Sequence, residues 1–282
     1  MRSPQLLLKI HDLRPQKQRG QNFLVDPATA QMIVDRAHVQ PEDIVVEIGP
    51  GLGALTLPLA RAARTIIAIE KDRNLAKILC EELRTAGMDN VQVIAADVLQ
   101  VDLAALARNA GRPLTVFGNL PYNISSQIVI QLIQARRVVP RAVLMFQKEL
   151  AARLRAAPGG KEYGRITAML RYCAAIRSLA VLTAKRFFPS PRVDSEVLEI
   201  CFHPATSYPP HDEDRLFRLI AAAFGQRRKT LKNALSSGLQ IRPATAGQAL
   251  AQAGIDPARR AETLSPEEFV VLEISLQRLA PH

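Results

Sequence analysis

The tetrapeptide Asn119-Leu120-Pro121-Tyr122 follows the apolar run 114–117, which places it where a buried strand ends. Open α/β sheets bind their ligands just beyond such strand ends. The chemistry on offer there is amine activation. An exocyclic base amine is a poor nucleophile while its lone pair is delocalised into the ring, and acceptors for its two hydrogens make the nitrogen more tetrahedral. The Asn119 side-chain oxygen and the Leu120 backbone carbonyl can supply those acceptors, while the Tyr122 ring stacks on a flipped-out base. Pro121 brings no competing N–H and stiffens the loop. Asn and Pro also build ordinary turns, so the tetrapeptide needs a second motif before it carries a function.

That motif is Glu47-Ile48-Gly49-Pro50-Gly51-Leu52-Gly53, which sits between a strand pattern and a helix pattern. In this context alternating glycines let a ligand approach the backbone closely. Gly49-x-Gly51-x-x-Ala54 also satisfies the permissive dinucleotide fingerprint, so the loop alone does not separate a nicotinamide cofactor from S-adenosylmethionine. Glu70, at the end of the next strand, is placed to accept hydrogen bonds from two ribose hydroxyls. Asp97, just after the third strand, is placed to accept one from a cofactor adenine amine. Asp102 has no strand-end position and is assigned to the surface. Acidic residues at three successive strand ends, with Asn119 at the fourth, favour the methyl donor, because hydride transfer leaves residues 119–122 without a role. Methyl transfer to an amine needs no tuned general base, since the methylated amine loses its proton to water. The catalytic load is orientation and polarisation.

These residues require a sheet to hold them. Strands are expected at 44–48, 65–69, 91–95, 114–117 and 142–146, separated by helical stretches at 55–62, 73–85, 103–109 and 125–134. This alternation predicts an α/β domain with a largely parallel sheet; joined to the methyl-donor reading of its motifs, the expectation is a Rossmann-like S-adenosylmethionine-dependent methyltransferase domain. Asp26-Pro27 is a helix start. Prolines at 189 and 191 break the chain before a strand at 193–202, and three prolines within 204–210 mark a hinge. Beyond it, helices are expected at 215–224, 230–235, 246–253 and 266–279, the last opened by a Ser265/Glu268 capping box. The expected division is therefore 1–205, the catalytic domain, and 206–282, a small all-helical RNA-binding domain.

Composition narrows the partner. The 282 residues carry 37 Lys and Arg against 26 Asp and Glu, a net charge of +11, which points to a polyanion. No apolar stretch approaches the roughly 20 residues that span a bilayer. Three widely spaced cysteines and five histidines without ligand spacing indicate neither a disulfide framework nor a metal site, and a reducing cytoplasm fits. Arg227, Arg228, Lys229 and Lys232 cluster at a helix start, where cations oppose the helix dipole unless phosphate neutralises them. Tyr163, Phe187 and Phe188 are candidate stacking platforms.

Taken with Gln21-Asn22-Phe23-Leu24 and Phe187-x-Pro189-x-Pro191-x-Val193-x-Ser195, these motifs make the chain resemble the ribosomal RNA adenine dimethyltransferases over residues 17–235. Gln147-Lys148-Glu149, Tyr163-Gly164-Arg165 and the helical tail are most similar to the bacterial small-subunit branch. One departure is Arg19, where the family usually has an apolar residue. The resemblance implies a donor site of Asn22, Leu24, Gly49, Glu70, Asp97 and Asn119, with Phe187 helping to hold the target adenine. It also implies dimethylation of two adjacent adenines in a hairpin near the 3′ end of small-subunit RNA, with the immature small subunit as partner. Nothing in the sequence suggests an obligate dimer, and a monomer is expected. The alternatives are the related large-subunit enzyme that confers antibiotic resistance, a noncatalytic RNA-binding factor on the same fold, and an NAD-dependent oxidoreductase.

Overall fold

Uninterrupted apolar runs belong to strands covered on both faces. The runs at 44–48 and 114–117 become β2 (Ile44–Ile48) and β5 (Leu114–Asn119), which lie side by side and parallel, with Ile48 opposite Gly118. The computed structural model describes residues 2–16, 20–121, 123–203, 208–209, 211–226 and 228–279. Around the central pair it sets β3 (Thr65–Glu70) and β4 (Val91–Ala95) on one side and β6 (Arg141–Gln147), β9 (Ser195–Phe202) and β7 (Ala174–Leu182) on the other. The order is β4-β3-β2-β5-β6-β9-β7, parallel from β4 to β6 and antiparallel at β6-β9. Chain order thus reverses between β2 and β5, the switch point where such a sheet opens a crevice at its carboxyl ends. A separate two-stranded ladder pairs β1 (Phe23–Leu24) with β8 (Phe187–Phe188), Leu24 opposite Phe187.

The crossover helices form for reasons visible in their sequences. In α4 (Arg73–Thr85), Leu75, Ile78, Leu79, Glu82 and Leu83 fall on one face and are buried, and Asp72 caps the helix by accepting the Asn74 N–H. Glu82 is an acid on that buried face, and Arg2 pairs with it. The start of α2 (Pro27–Arg36) is as expected: Asp26 accepts from the Ala28 N–H and Pro27 takes the first helical position. Asp102, assigned to the surface, caps α5 (Leu103–Ala110) through the Ala105 N–H.

The chain divides into two compact units, Met1–Ala151 with Ala175–Pro204, and Ala152–Ala174 with Ala205–His282. The expected single cut at 205/206 misses the first part of the second unit. That part contains α8 (Arg165–Cys173), which joins α9 (Glu213–Phe224), α10 (Leu231–Gly238), α11 (Pro243–Gln252) and α12 (Pro266–Leu279). Close packing between α9 and α10 depends on Gly238, where a Cβ would lie 2.6 Å from the Ala222 Cβ. The capping box of α12 forms as expected, with the Ser265 N–H donating to Glu268 Oε2 at 2.8 Å and the Glu268 N–H to Ser265 Oγ at 3.3 Å. Among the helices and strands that were not expected are α1 (Pro4–Ile10), α7 (Lys148–Leu154), α8, β7 and the paired β1 and β8.

Candidate active site

The loop between β2 and α3 (Thr56–Ala62) rises from the switch point. Gly49 and Gly51 both have positive φ, 66° and 55°, which side-chain-bearing residues rarely adopt. The turn aims the Gly51 N–H at the end of β3, where Glu70 Oε2 accepts it at 3.1 Å. Glu70 Oε1 accepts the Asp72 N–H at 2.8 Å, so this carboxylate is held from both sides. Burial nevertheless raises its pKa, against the backbone donors of Asp72 and Gly51. Deeper in the crevice, Glu47 of β2 is 2% exposed and its Oε2 has no hydrogen-bond partner among the described residues. Burial pushes its pKa up to about 8, with Thr56 opposing and the Glu70 charge adding.

At the end of β4, Asp97 Oδ1 accepts the Leu99 N–H at 3.1 Å, and Oδ2 pairs with Lys71 Nζ at 2.7 Å. The Lys71 hydrogen bond is the main reason its pKa is lowered. Asn119 ends β5, and its Nδ2 donates to the Asn22 carbonyl at 2.9 Å. This bond fixes which end of the amide is spent and leaves Oδ1 as the available acceptor. β5 can approach β2 closely here because residue 118 is a glycine: a Cβ there would lie 2.9 Å from both the Ile48 carbonyl oxygen and Leu120 Cδ2.

Asn22, Leu24, Gly49, Gly51, Glu70, Asp97, Asn119 and Pro121 line one cavity of about 220 Å³. Two expected residues do not line it. The Leu120 side chain is 2% exposed and packs inward. Phe187 is 4% exposed and belongs to the core cluster that also contains Leu24, Met145 and Val197, so its ring supports the cavity wall from behind. Tyr122 lies outside the described residues. Lys71 and Asp72, which sequence reasoning passed over, also line the cavity, as does Gln21, which was named only as part of a motif; Gln21 Nε2 reaches Asp72 Oδ2 at 3.4 Å.

One further expectation is corrected in the helical unit. Tyr163 is no stacking platform: it is 1% exposed, its hydroxyl has no partner among the described residues, and its ring meets Phe224 at 6.0 Å. At the start of α10 the Leu231 N–H donates to the Arg259 carbonyl and the Lys232 N–H to the Pro257 carbonyl. Arg228 and Lys229 are exposed and Lys232 is half-buried, while Arg227 lies outside the described residues. Phe188 is half-buried and packs against the cluster of Leu7, Leu8, Phe23 and Leu52.

The cavity suits a nucleoside-bearing cofactor. It has a turn with glycines at 49 and 51, a carboxylate at the end of β3 and another just after β4, and in β2 a buried acid, Glu47, with an oxygen to spare. Residues 13–278 match the sequence profile of the ribosomal RNA adenine dimethylase family. Ribosomal RNA small subunit methyltransferase A of Desulforapulum autotrophicum is 49% identical over 277 residues, covering 98% of this chain and 97% of that protein. The protein of the same name from Moorella thermoacetica is 44% identical, covering 96% of each. Among solved structures, a dimethyladenosine transferase from Plasmodium falciparum shares the fold, with a TM-score of 0.76 at 23% identity over 91% of this chain and 98% of that one. The 23S rRNA methyltransferase ErmE gives 0.66 at 27% identity, over 91% and 100%.

Proposed function

Because the chain belongs to the ribosomal RNA adenine dimethylase family, we propose that it dimethylates the N6 amines of two adjacent adenosines in a hairpin near the 3′ end of small-subunit ribosomal RNA, using S-adenosylmethionine. The observation that carries this reading is the meeting, in one cavity, of the Asn119 amide with Gly51, Glu70 and Asp97. When bound, the cofactor supplies an electrophilic methyl group on a sulfonium. Glu70 accepts the ribose hydroxyls, Asp97 accepts the adenine amine, and the Gly49–Gly51 turn lets the donor lie against the backbone.

Asn119 Oδ1 and the Leu120 carbonyl accept the two hydrogens of the target amine and localise its lone pair. Tyr122 stacks on the flipped base, and Phe187 braces Leu24 beneath it. None of these groups needs to move a proton, since the alkylated amine releases one to water. The exposed Arg228 and Lys229, together with Arg227 and Lys232, neutralise RNA phosphates. The immature small subunit is the proposed partner, met by a monomeric enzyme in the cytoplasm.

Incubating the protein with methyl-labelled donor and unmethylated small subunits should yield N6,N6-dimethyladenosine on digestion and mass spectrometry. The large-subunit alternative predicts label on naked large-subunit RNA instead. The 44–49% identities to small-subunit methyltransferases, against 27% to ErmE, favour the former. No label on either RNA would leave the noncatalytic reading.

A further inference from the structure

Among the described residues, the cavity wall holds Glu47, Glu70, Asp72 and Asp97 but a single cation, Lys71. Lys71 follows the ribose acceptor Glu70 in sequence, yet its ammonium crosses to the neighbouring strand end and binds Asp97 Oδ2 at 2.7 Å. Resting on the reading of Asp97 as the acceptor for the donor's adenine amine, we propose that Lys71 is a positioning residue for adenine recognition, fixing the Asp97 carboxylate so that it distinguishes an amino-purine from a deaminated one.

Three observations support this role over that of a solvated surface charge. First, the carboxylate offers about four acceptor positions, and the described residues take two, one by the Leu99 N–H and one by Lys71. The donor's amine can therefore bind without displacing the lysine. Second, the two bonds fall on different oxygens, which stops the carboxylate from rotating about its own axis. An aimed acceptor rewards an amine and repels the carbonyl oxygen of a hypoxanthine ring. Third, burial disfavours the ionised form of Asp97, and Lys71 offsets it by its hydrogen bond and by its charge. Its side chain is 67% exposed, so the pair adds little to folding. Its effect is expected in what the site binds.

The test is equilibrium titration calorimetry with S-adenosylhomocysteine and its inosine counterpart, S-inosylhomocysteine, on wild type, Lys71→Ala, Lys71→Arg and Asp97→Asn. These products bind without turnover, so the readout is affinity alone. Wild type should favour the adenine form by at least about tenfold. Lys71→Ala should lose about three- to tenfold in affinity for the adenine form with the inosine form nearly unchanged, and Lys71→Arg should restore the ratio. High salt should bring wild type towards the alanine variant. An unchanged ratio in Lys71→Ala, whether or not both affinities fall, overturns the proposal. If Asp97→Asn also keeps the wild-type ratio, the assignment of Asp97 to the adenine fails as well, a separate outcome.

Discussion

Asn119 shows how one hydrogen bond assigns a role to a side chain. With Nδ2 turned to the Asn22 carbonyl, Oδ1 is the acceptor the amide can offer a substrate. Asn119→Ala should therefore lower turnover by about 10²–10³-fold, while the affinity for S-adenosylhomocysteine changes less than about tenfold, since one neutral hydrogen bond to Asn22 is removed. Parallel loss of both, by calorimetry and single-turnover assay, contradicts that division. Glu47 gives a second prediction. Its folded pKa of about 8 lies above the ordinary glutamate value of 4.5, so the folded chain holds a proton that the unfolded chain releases. Its contribution to stability is complete below about pH 4.5 and is lost as pH rises to about 8. Glu47→Gln should melt close to wild type at pH 5 and at least about 5 °C above it at pH 9; identical melting curves at both values exclude a buried proton. Lys71 was illegible in the sequence because it stands between two acids and reads as a solvated charge. Only folding brings it a partner from 26 residues further along.

At the scale of elements, the site depends on how tightly β2 and β5 approach at their carboxyl ends. Gly118 is the residue that permits it, because a methyl group there would meet the Ile48 carbonyl and Leu120 Cδ2. Gly118→Ala should cost about 1–3 kcal/mol in urea denaturation and should weaken S-adenosylhomocysteine binding through displacement of Asn119. A variant with wild-type stability and affinity would mean that the strands part without consequence. The parallel strands and their helices were readable because apolar runs, caps and glycine turns agree with one another. β7 was not, since Leu179 and Ala180 are consecutive and both buried, which breaks the period of two, and Ala175, Arg177 and Ser178 leave much of the strand exposed. Glu70, Asp97 and Asn119 were legible because each stands directly at or after a strand end. Phe187 and Tyr163 were misjudged for a shared reason: an aromatic ring in a motif reads the same whether it faces a ligand or the core, and here both are buried.

At the scale of the molecule, excess positive charge is the feature that composition made plain. The first two N-terminal amides of α10 are already used by the Arg259 and Pro257 carbonyls, so binding phosphate there falls chiefly to side chains. Reversing Arg228 and Lys229 to Glu should weaken RNA binding and flatten the dependence of log affinity on log salt by about 0.7–0.9 for every phosphate left unneutralised; a salt-independent weakening would indicate misfolding. The two compact units are also interleaved along the chain, since residues 152–174 leave the first and belong to the second. During synthesis this early piece, with Tyr163 and Leu170 destined for the interior, emerges well before α9 to α12 exist to cover it. A truncation ending at 204 strands an apolar insert in solvent and should precipitate on expression. Joining 151 to 175 through a short glycine-rich linker removes the orphan, and that fragment should stay in the supernatant.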